Sequence, residues 1–355
     1  MDIKELLSLT VKNNASDFHL FPGIPPSFRI DGSLTYLSSH EILTRESIET
    51  MIYSLLTPEQ KELLITNKEL DFSIDYNEAN SNSAGRFRIN AYFQRGNLCG
   101  AFRFLPPIIR TIEELRLPKV IHDFSFLKQG FVLVTGPTGH GKSTTLASII
   151  NEINLNKSYH ILTIEDPIEY VYPKGKSIIS QREIGIDTHS WGMALRSALR
   201  EDPDVVLIGE MRDPETMSAA ITIAETGHLV FSTLHTNSAS QSIDRIIDSF
   251  PSHQQEQIRV QLASTLKGIV SQRLLPQISE GRIPAVEILI ATSAIASNIR
   301  DGKTHLIDSI IQTSQDVGMI TLESSLSHLV LTGAITLETA RGYALHQDEL
   351  QRMIG

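Results

Sequence analysis

Residues 131–143 of the chain read FVLVTGPTGHGKS. The first part, residues 131–135, is almost wholly apolar, which is typical of a strand that is buried on both faces of a parallel sheet. The second part, residues 136–143, matches the phosphate-binding loop pattern G-x-x-x-x-G-K-[ST] in full, and a helical pattern follows it. Strand, loop and helix in this order predict an α/β domain that binds a nucleotide.

The loop carries the groups that hold a triphosphate. Glycines let backbone N–H groups turn towards phosphate oxygens, and the start of the helix adds a favourable potential for an anion. Lys142 is suited to neutralise the β- and γ-phosphates, and the hydroxyl of Ser143 is suited to ligate Mg²⁺. We therefore expect ATP and Mg²⁺ as ligands. The predicted nucleotide-binding residues are Gly136, Pro137, Thr138, Gly139, His140, Gly141, Lys142, Ser143 and Thr144, with His140 contributing chiefly its backbone.

Two further apolar runs end in carboxylates. Residues 161–165 end in Glu165, which Asp166 follows, and residues 205–210 end in Glu210. Ligands of open α/β sheets bind at the carboxyl ends of the strands. Either glutamate is able to orient or deprotonate the attacking water while the other holds Mg²⁺, directly or through water. The sequence leaves this division of roles open, with Glu210 as our candidate metal ligand beside Ser143.

Two histidines flank a third apolar run, residues 229–234. Their separation is an odd number of residues, so along one regular strand their side chains point to opposite faces and do not chelate one metal ion. His235, at the carboxyl end, is a candidate for sensing or positioning the γ-phosphate. His228, at the amino end, is as well explained by a structural role.

The remaining sequence divides into two regions. Up to about residue 105 the pattern is mixed α/β, with strands at 17–20 and 27–30, a turn at 31–32, a helical stretch at 45–67, an alternating strand at 86–93 and a polar loop at 80–84. In the alternating strand Phe87 and Ile89 share one face and Arg88 lies on the other, and Arg103 has a similar setting between two phenylalanines. Beyond the prolines at 106–107, short apolar strands at 131–135, 160–164, 205–208, 229–232 and 285–290 predict a parallel sheet covered by helices.

Composition narrows the class of protein. The 355 residues carry a formal net charge of −10, which argues against a nucleic-acid partner. The single cysteine, Cys99, excludes an internal disulfide, and a packed structural role is expected for it. The N-terminal residues lack the basic flank of a signal peptide, and no apolar stretch is long enough to span a bilayer. We therefore expect a cytoplasmic protein.

Four motifs resemble those of the type IV pilus and type II secretion ATPases. They are the phosphate-binding loop, residues 163–169 (TIEDPIE), residues 205–213 (VVLIGEMRD), and the histidine segment with residues 226–228 and 234–236 at its ends. Residues 15–20 (ASDFHL) and 181–185 (QREIG) also fit the family. The resemblance covers nearly the whole chain.

The resemblance implies a homohexameric motor whose subunits have a PAS-like N-terminal domain (1–105), a linker (106–117) and a RecA-like ATPase domain (118–355) that includes a helical region from about 294. It also implies that arginines of an N-terminal domain reach the nucleotide, and Arg88 and Arg103 are the candidates. The implied partners are the inner-membrane platform protein of the pilus, which places the motor peripherally at that membrane, and a paralogous pilus ATPase.

In its compactness and its lack of paired CxxC zinc motifs, the chain resembles the PilT-type retraction branch of the family, which drives twitching motility. Residues 294–301 read AIASNIRD where that branch has AIRNLIRE, so Ala296 replaces an arginine and Asp301 a glutamate. Three alternatives stay open. They are a pilus extension or type II secretion ATPase, a PilU-like accessory motor, and a scaffold that binds ATP without hydrolysing it, which the retained Lys142, Glu165 and Glu210 argue against.

Overall fold

The computed structural model describes residues 2–30, 33–37, 41–77, 84–105, 108–279 and 281–355. It divides into two compact units, Met1–Ile108 with Pro167–Val171, and Ile109–Asp166 with Tyr172–Gly355. The domain and linker bounds predicted from the sequence stay a prediction. The predicted turn at 31–32, most of the predicted loop at 80–84 and the prolines at 106–107 lie outside the described residues.

The N-terminal unit is a sheet with helices. Its elements are α1 (Ile3–Lys12), β1 (Asp17–Leu20), β2 (Ser27–Ile30), β3 (Ser33–Tyr36), α2 (Arg45–Tyr53), α3 (Pro58–Asn67), β4 (Glu69–Asn77), β5 (Ala84–Gln94) and β6 (Asn97–Leu105). The described strands pair in the order β3-β2-β1-β6-β5-β4, and all of these pairs are antiparallel.

Alternation along these strands builds the core of the N-terminal unit. Phe87 and Ile89 in β5 are fully buried, whereas Arg88 between them is half-buried, as the period of two predicts. The rings of Phe18 and Phe102 stack across β1 and β6 with their centroids 4.1 Å apart. Cys99 is buried and free, and burial raises the pKa of its thiol, as expected of a packed side chain.

The helical stretch predicted at 45–67 is interrupted. α2 is followed by Ser54 as its C-terminal cap, and α3 begins anew at Pro58. Thr57 is extended, at φ −70° and ψ 162°, and forms a capping box with Gln60. A proline disfavours the helical conformation in the residue before it and has no N–H to continue a helix, so the break is a local consequence of Pro58.

The second unit alternates strands and helices. Its elements are α4 (Val120–Ser125), β7 (Gly130–Thr135), α5 (Lys142–Asn156), β8 (His160–Glu165), β9 (Ile178–Glu183), α6 (Trp191–Ala198), β10 (Val205–Ile208), α7 (Pro214–Glu225), β11 (Leu229–Leu234), α8 (Ala239–Asp248), α9 (Ser252–Thr265), β12 (Leu266–Pro276), β13 (Arg282–Ile290), α10 (Ser293–Arg300), α11 (Ile307–Thr313), α12 (Leu322–Leu331), α13 (Leu337–Tyr343) and α14 (Gln347–Ile354). Short 3₁₀ turns, Thr304–Leu306 and Gln315–Val317, flank α11.

The strands of this unit form one sheet in the order β13-β12-β7-β11-β10-β8-β9 among the described residues. The predicted strands β7, β11, β10 and β8 are parallel neighbours, as expected, and β7 is buried on both faces. β12 and β9, which were not predicted from the sequence, continue the parallel pairing on either side. The expectation that residues 285–290 also run parallel is wrong, because β13 is antiparallel to β12. Only residues 277–281 join these two strands, and so short a connection permits a hairpin but no parallel crossover.

The last helices complete the unit. α12, α13 and α14 form an apolar cluster with β12 and β13, in which Leu326 and Leu350 are buried with Leu275 and Ile283. In α10, Ile295 and Ile299 lie four residues apart, share one face of the helix and are fully buried. No helix in the described ranges combines the length and the apolar character that a bilayer span demands.

Candidate nucleotide site

The phosphate-binding loop connects β7 to α5, as the sequence predicts. Its glycines adopt left-handed backbone angles, with φ of +144° at Gly136, +79° at Gly139 and +82° at Gly141. A Cβ atom at Gly136 would lie 2.4 Å from the backbone oxygen of Gln272 in β12, so only glycine fits there. The loop therefore holds its open conformation while its backbone packs directly against the neighbouring strand.

Gln272 fixes this loop from the side of β12. Its amide nitrogen donates to the backbone oxygen of His140 at 2.8 Å, and its amide oxygen accepts from the hydroxyl of Thr145 in α5 at 2.7 Å. The side chain is only 3% exposed. One buried amide thus satisfies both the loop and the first turns of the helix that follows it.

Lys142 and Ser143 begin α5. The ammonium of Lys142 is buried and donates to the backbone oxygens of Gly136 and Pro137, at 2.9 and 3.0 Å. Ser143 is exposed and Thr144 is half-buried beside it. The side chain of Lys142 therefore folds back onto the loop. A bound phosphate would take the place of these carbonyl oxygens as the partner of the ammonium group.

The predicted carboxylates follow neighbouring strands. β8 and β10 pair in parallel, so Glu165 and Glu210 lie at the same edge of the sheet as the loop. Glu165 accepts from the hydroxyl of Thr163 at 2.7 Å and from the amide of Gln181 at 3.3 Å. Arg212 donates to Glu210, and this contact raises the pKa of the arginine. A hydroxyl and an amide thus orient Glu165, and an arginine contacts Glu210.

His235 links the loop to Glu210. It follows β11, its Nε2 lies 3.5 Å from Oε2 of Glu210, and its Nδ1 lies 3.3 Å from the hydroxyl of Thr138. The chain Thr138–His235–Glu210 therefore joins the loop to a strand end. His228 lies before β11, with Nδ1 3.0 Å from the backbone oxygen of Ile223 at the end of α7. Its contacts fit the structural role, and no metal cluster is found in the described ranges.

Arg88 and Arg103 lie in the N-terminal unit, directly opposite each other on β5 and β6. The Nε of Arg103 donates to Asp17 at 2.9 Å, and Arg29 lies 4.0 Å from the same carboxylate. Arg88 is half-buried. A contribution of either arginine to a nucleotide site stays a prediction.

Sequence reasoning missed several residues of this site. Gln272 belongs to the polar triplet 271–273, which interrupts an otherwise apolar run. This interruption is the sequence signal from which Gln272 could have been found. Gln181 belongs to the QREIG motif, but the motif gives no hint that it donates to Glu165. Arg212, two residues after Glu210, also escaped notice as its partner.

Comparison with known proteins identifies the family. Residues 118–335 match the family model of the type II/IV secretion system proteins. The chain belongs to this family. It is 45% identical to "Type IV pilus retractation ATPase PilT" of Pseudomonas aeruginosa, over 96% of this chain and 97% of that protein. Its identity to "Type IV pilus ATPase PilU" of the same organism is 37%, over 100% of this chain and 91% of that one.

A crystal structure described as the pilus retraction motor PilT with bound ADP agrees with this fold. Its TM-score to this chain is 0.92, its sequence identity is 46%, and the match covers 99% of both chains. The resemblance inferred from the four motifs is therefore confirmed. So is the predicted fold class, an N-terminal α/β domain followed by a P-loop ATPase domain with helices at its C-terminal end.

Proposed function

We propose that this chain is the ATP-driven motor that retracts type IV pili by depolymerising the pilin fibre, the basis of twitching motility. One observation carries the proposal. A complete phosphate-binding loop lies at the same sheet edge as Glu165 and Glu210, in a chain that aligns with 97% of a retraction ATPase. The identity to that protein, 45%, exceeds the identity to the accessory PilU ATPase, 37%.

The residues of the loop suit ATP and Mg²⁺. A Cβ atom at Gly136 or Gly141 would collide with Gln272, so glycine lets the loop lie close against β12. Lys142 lies at the loop with a positive charge. The hydroxyl of Ser143 and the carboxylate of Glu210 are the oxygen ligands that Mg²⁺ prefers. When bound, the ion would neutralise charge on the transferring phosphoryl group.

The strand-end groups are proposed to prepare the attacking water. Glu165 accepts hydrogen bonds from Thr163 and Gln181, which fix the orientation of its carboxylate, and a carboxylate held in this way suits a group that accepts a proton. Glu210 is paired with Arg212, and His235 connects it to the loop residue Thr138. This path gives the γ-phosphate end of the site a physical link to the carboxylate. Both glutamates remain candidates for the base.

The motor is proposed to work as a homohexamer on an inner-membrane platform protein, together with a paralogous pilus ATPase. Within the ring, Arg88 and Arg103 are proposed to complete nucleotide sites. If a subunit supplies these arginines to a neighbour, Arg88→Ala subunits mixed with Lys142→Ala subunits should recover part of the lost ATPase activity. The measurement is turnover of rings shown to contain both chains, with each variant alone as control. No recovery in mixed rings contradicts the shared site.

Removal of the gene tests the direction of the motor. Cells that lack the protein should keep at least as many surface pili as the wild type but should not shorten them, and Lys142→Ala should reproduce this phenotype. Time-resolved imaging of labelled pili measures the retraction. An absence of surface pili would instead assign the extension or secretion role. If cells that lack the protein retract pili normally without load and fail only when the pili pull against a load, that result would favour the accessory role.

The segment 294–301, which corresponds to the AIRNLIRE motif of the retraction branch, can be tested separately from catalysis. Arg300, at the end of α10, is exposed, while Ile295 and Ile299 anchor the helix in the core. Arg300→Ala is therefore expected to abolish retraction with most of the ATPase activity kept. A variant that retracts normally would remove this segment from the proposed coupling.

A further inference from the structure

The side chain of His140 takes part in the contacts of the phosphate-binding loop, beyond the expected contribution of chiefly its backbone. His140 lies between Gly139 and Gly141, both in the left-handed region. Its Nδ1 accepts a hydrogen bond from the backbone N–H of Leu274 in β12 at 3.1 Å. Its ring centroid lies 6.2 Å from that of Tyr343 in α13. The ring thus lies between the loop, a strand and a helix.

The two loop contacts to β12 differ in kind. The backbone oxygen of His140 accepts from Gln272, a bond that any residue at this position makes. The bond from the N–H of Leu274 needs an acceptor on the side chain, which the imidazole of His140 supplies. This second contact therefore depends on the identity of the residue at position 140.

The second contact exists only in one protonation state. An imidazole nitrogen accepts a hydrogen bond when it carries no proton, so the ring must be neutral, with its proton on Nε2. Burial lowers the pKa of His140, and the positive charges of Arg273, Lys142 and Arg282 lower it further. These charges come from β12, α5 and β13, and α13 presents the ring of Tyr343. All three of these cations favour the neutral, accepting form of His140.

We propose that His140 is a positioning residue that holds the phosphate-binding loop against β12, and that its protonation releases the loop and weakens nucleotide binding. The inference rests on the proposed nucleotide site. A loop rich in glycine loses much conformational freedom when it closes on phosphate, and a contact that orders it beforehand reduces that cost. Because the ring does not act on the reacting atoms, its loss changes affinity more than turnover at saturation.

The test compares the full chain with two variants that differ at this one position. His140→Asn keeps an acceptor oxygen near the place of Nδ1 and does not titrate, whereas His140→Ser is too short to reach Leu274. At about pH 8, the serine variant should bind a fluorescent ADP derivative with Mg²⁺ about threefold to tenfold more weakly than the asparagine variant, which is the range that one net hydrogen bond supports. At saturating ATP, the turnover of these variants should differ much less.

The pH dependence of ADP affinity distinguishes the proposed role of His140 from a merely structural one. As the pH falls from about 8, the dissociation constant of the wild type divided by that of His140→Asn should rise, reaching about threefold to tenfold once the imidazole is protonated, because only the wild type loses its acceptor. Taking this ratio cancels the titration of the ADP phosphates and of the other histidines. The serine variant divided by the asparagine variant should stay constant over the same range.

Two results would overturn the inference. One is a wild-type to asparagine ratio that does not change with pH, and the other is an asparagine variant that binds as weakly as the serine variant at about pH 8. If the serine variant does not fold, the first ratio still decides. The proposed function fails differently, since the wild type would then bind no ADP at either pH, or Lys142→Ala would bind it as tightly as the wild type does.

Discussion

Replacing Glu287 by glutamine is expected to stabilise the protein in mild alkali. Glu287 lies in β13 with 8% of its surface exposed, and its Oε1 accepts from the N–H of Ala239 at 2.6 Å. Burial is the largest cause that raises the pKa of Glu287 from 4.5 to about 7, and the carboxylates of Asp308 and Glu323 contribute to the rise. The hydrogen bond from Ala239 and the charge of Arg273 oppose it. The native fold therefore keeps a proton on this carboxyl that the unfolded chain has released.

The sign and size of the effect follow from this difference. Between pH 4.5 and about 7 the native state binds more protons than the unfolded state, so the free energy of unfolding falls as the pH rises through that window. At about 1.4 kcal/mol for each pH unit, the difference costs the wild type about 3 kcal/mol above pH 7. Glutamine keeps an oxygen that accepts from Ala239 and never ionises, so it avoids this cost.

Urea unfolding at about pH 5.5 and pH 8.5 measures the effect. The stability gained by Glu287→Gln should be about 2 kcal/mol larger at the higher pH, with an unchanged denaturant slope. Glu256→Gln serves as the matched control, because Glu256 is an exposed carboxylate on α9. The difference between the two variants at each pH isolates the effect of burial. A constant gain for Glu287→Gln, or a gain that is larger in acid, would refute the argument from burial.

Two further predictions concern charges near α5 and at the strand ends. Glu165→Gln and Glu210→Gln should each slow ATP turnover by about 10²- to 10⁴-fold with ADP affinity retained, and a variant with normal turnover would show that its glutamate is a bystander. His122 lies 2.7 Å from Glu152, which raises the pKa of the histidine, so its bridge stabilises the fold below pH 6.5 and is lost as the pH rises through the raised value. His122→Asn should thus lower the thermal midpoint more at about pH 5.5 than at about pH 8.5, and an equal loss at both would contradict this sign.

The sequence predicted those features that depend on short-range patterns. The strands Asp17–Leu20, Ser27–Ile30 and Val205–Ile208 agree with the structure in both bounds. Turn residues follow two of them directly, Asp31-Gly32 after the second and Gly209 after the third. The loop between β7 and α5 and the carboxylates after β8 and β10 follow from motifs in which spacing alone fixes the geometry. Because β7 is buried on both faces, its residues are almost all apolar, and this run was recognisable as a strand in the sequence.

Features that depend on distant parts of the chain were missed. Gln272 lies more than a hundred residues along the chain from Thr145 and His140, and no local sequence pattern predicts that its amide forms hydrogen bonds with both. The strand β12 itself was overlooked because residues 271–273 are polar, and with it the reversal of β13. The raised pKa of Glu287 also needs the fold, although a single carboxylate in the apolar run of β13 is a signal that sequence reasoning can use in future.

The hairpin of β12 and β13 has a consequence for how this protein can be divided. Gln272 supports the phosphate-binding loop, and Leu275, on the same strand, is fully buried beneath Leu326 and Leu350 of the last helices. A chain shortened to remove α12 to α14 would leave the outer end of β12 uncovered in water, a few residues from the bond that orders the loop. The helices at the C-terminus are therefore part of the same cooperative unit as the catalytic core, and a minimal ATPase fragment has to retain them.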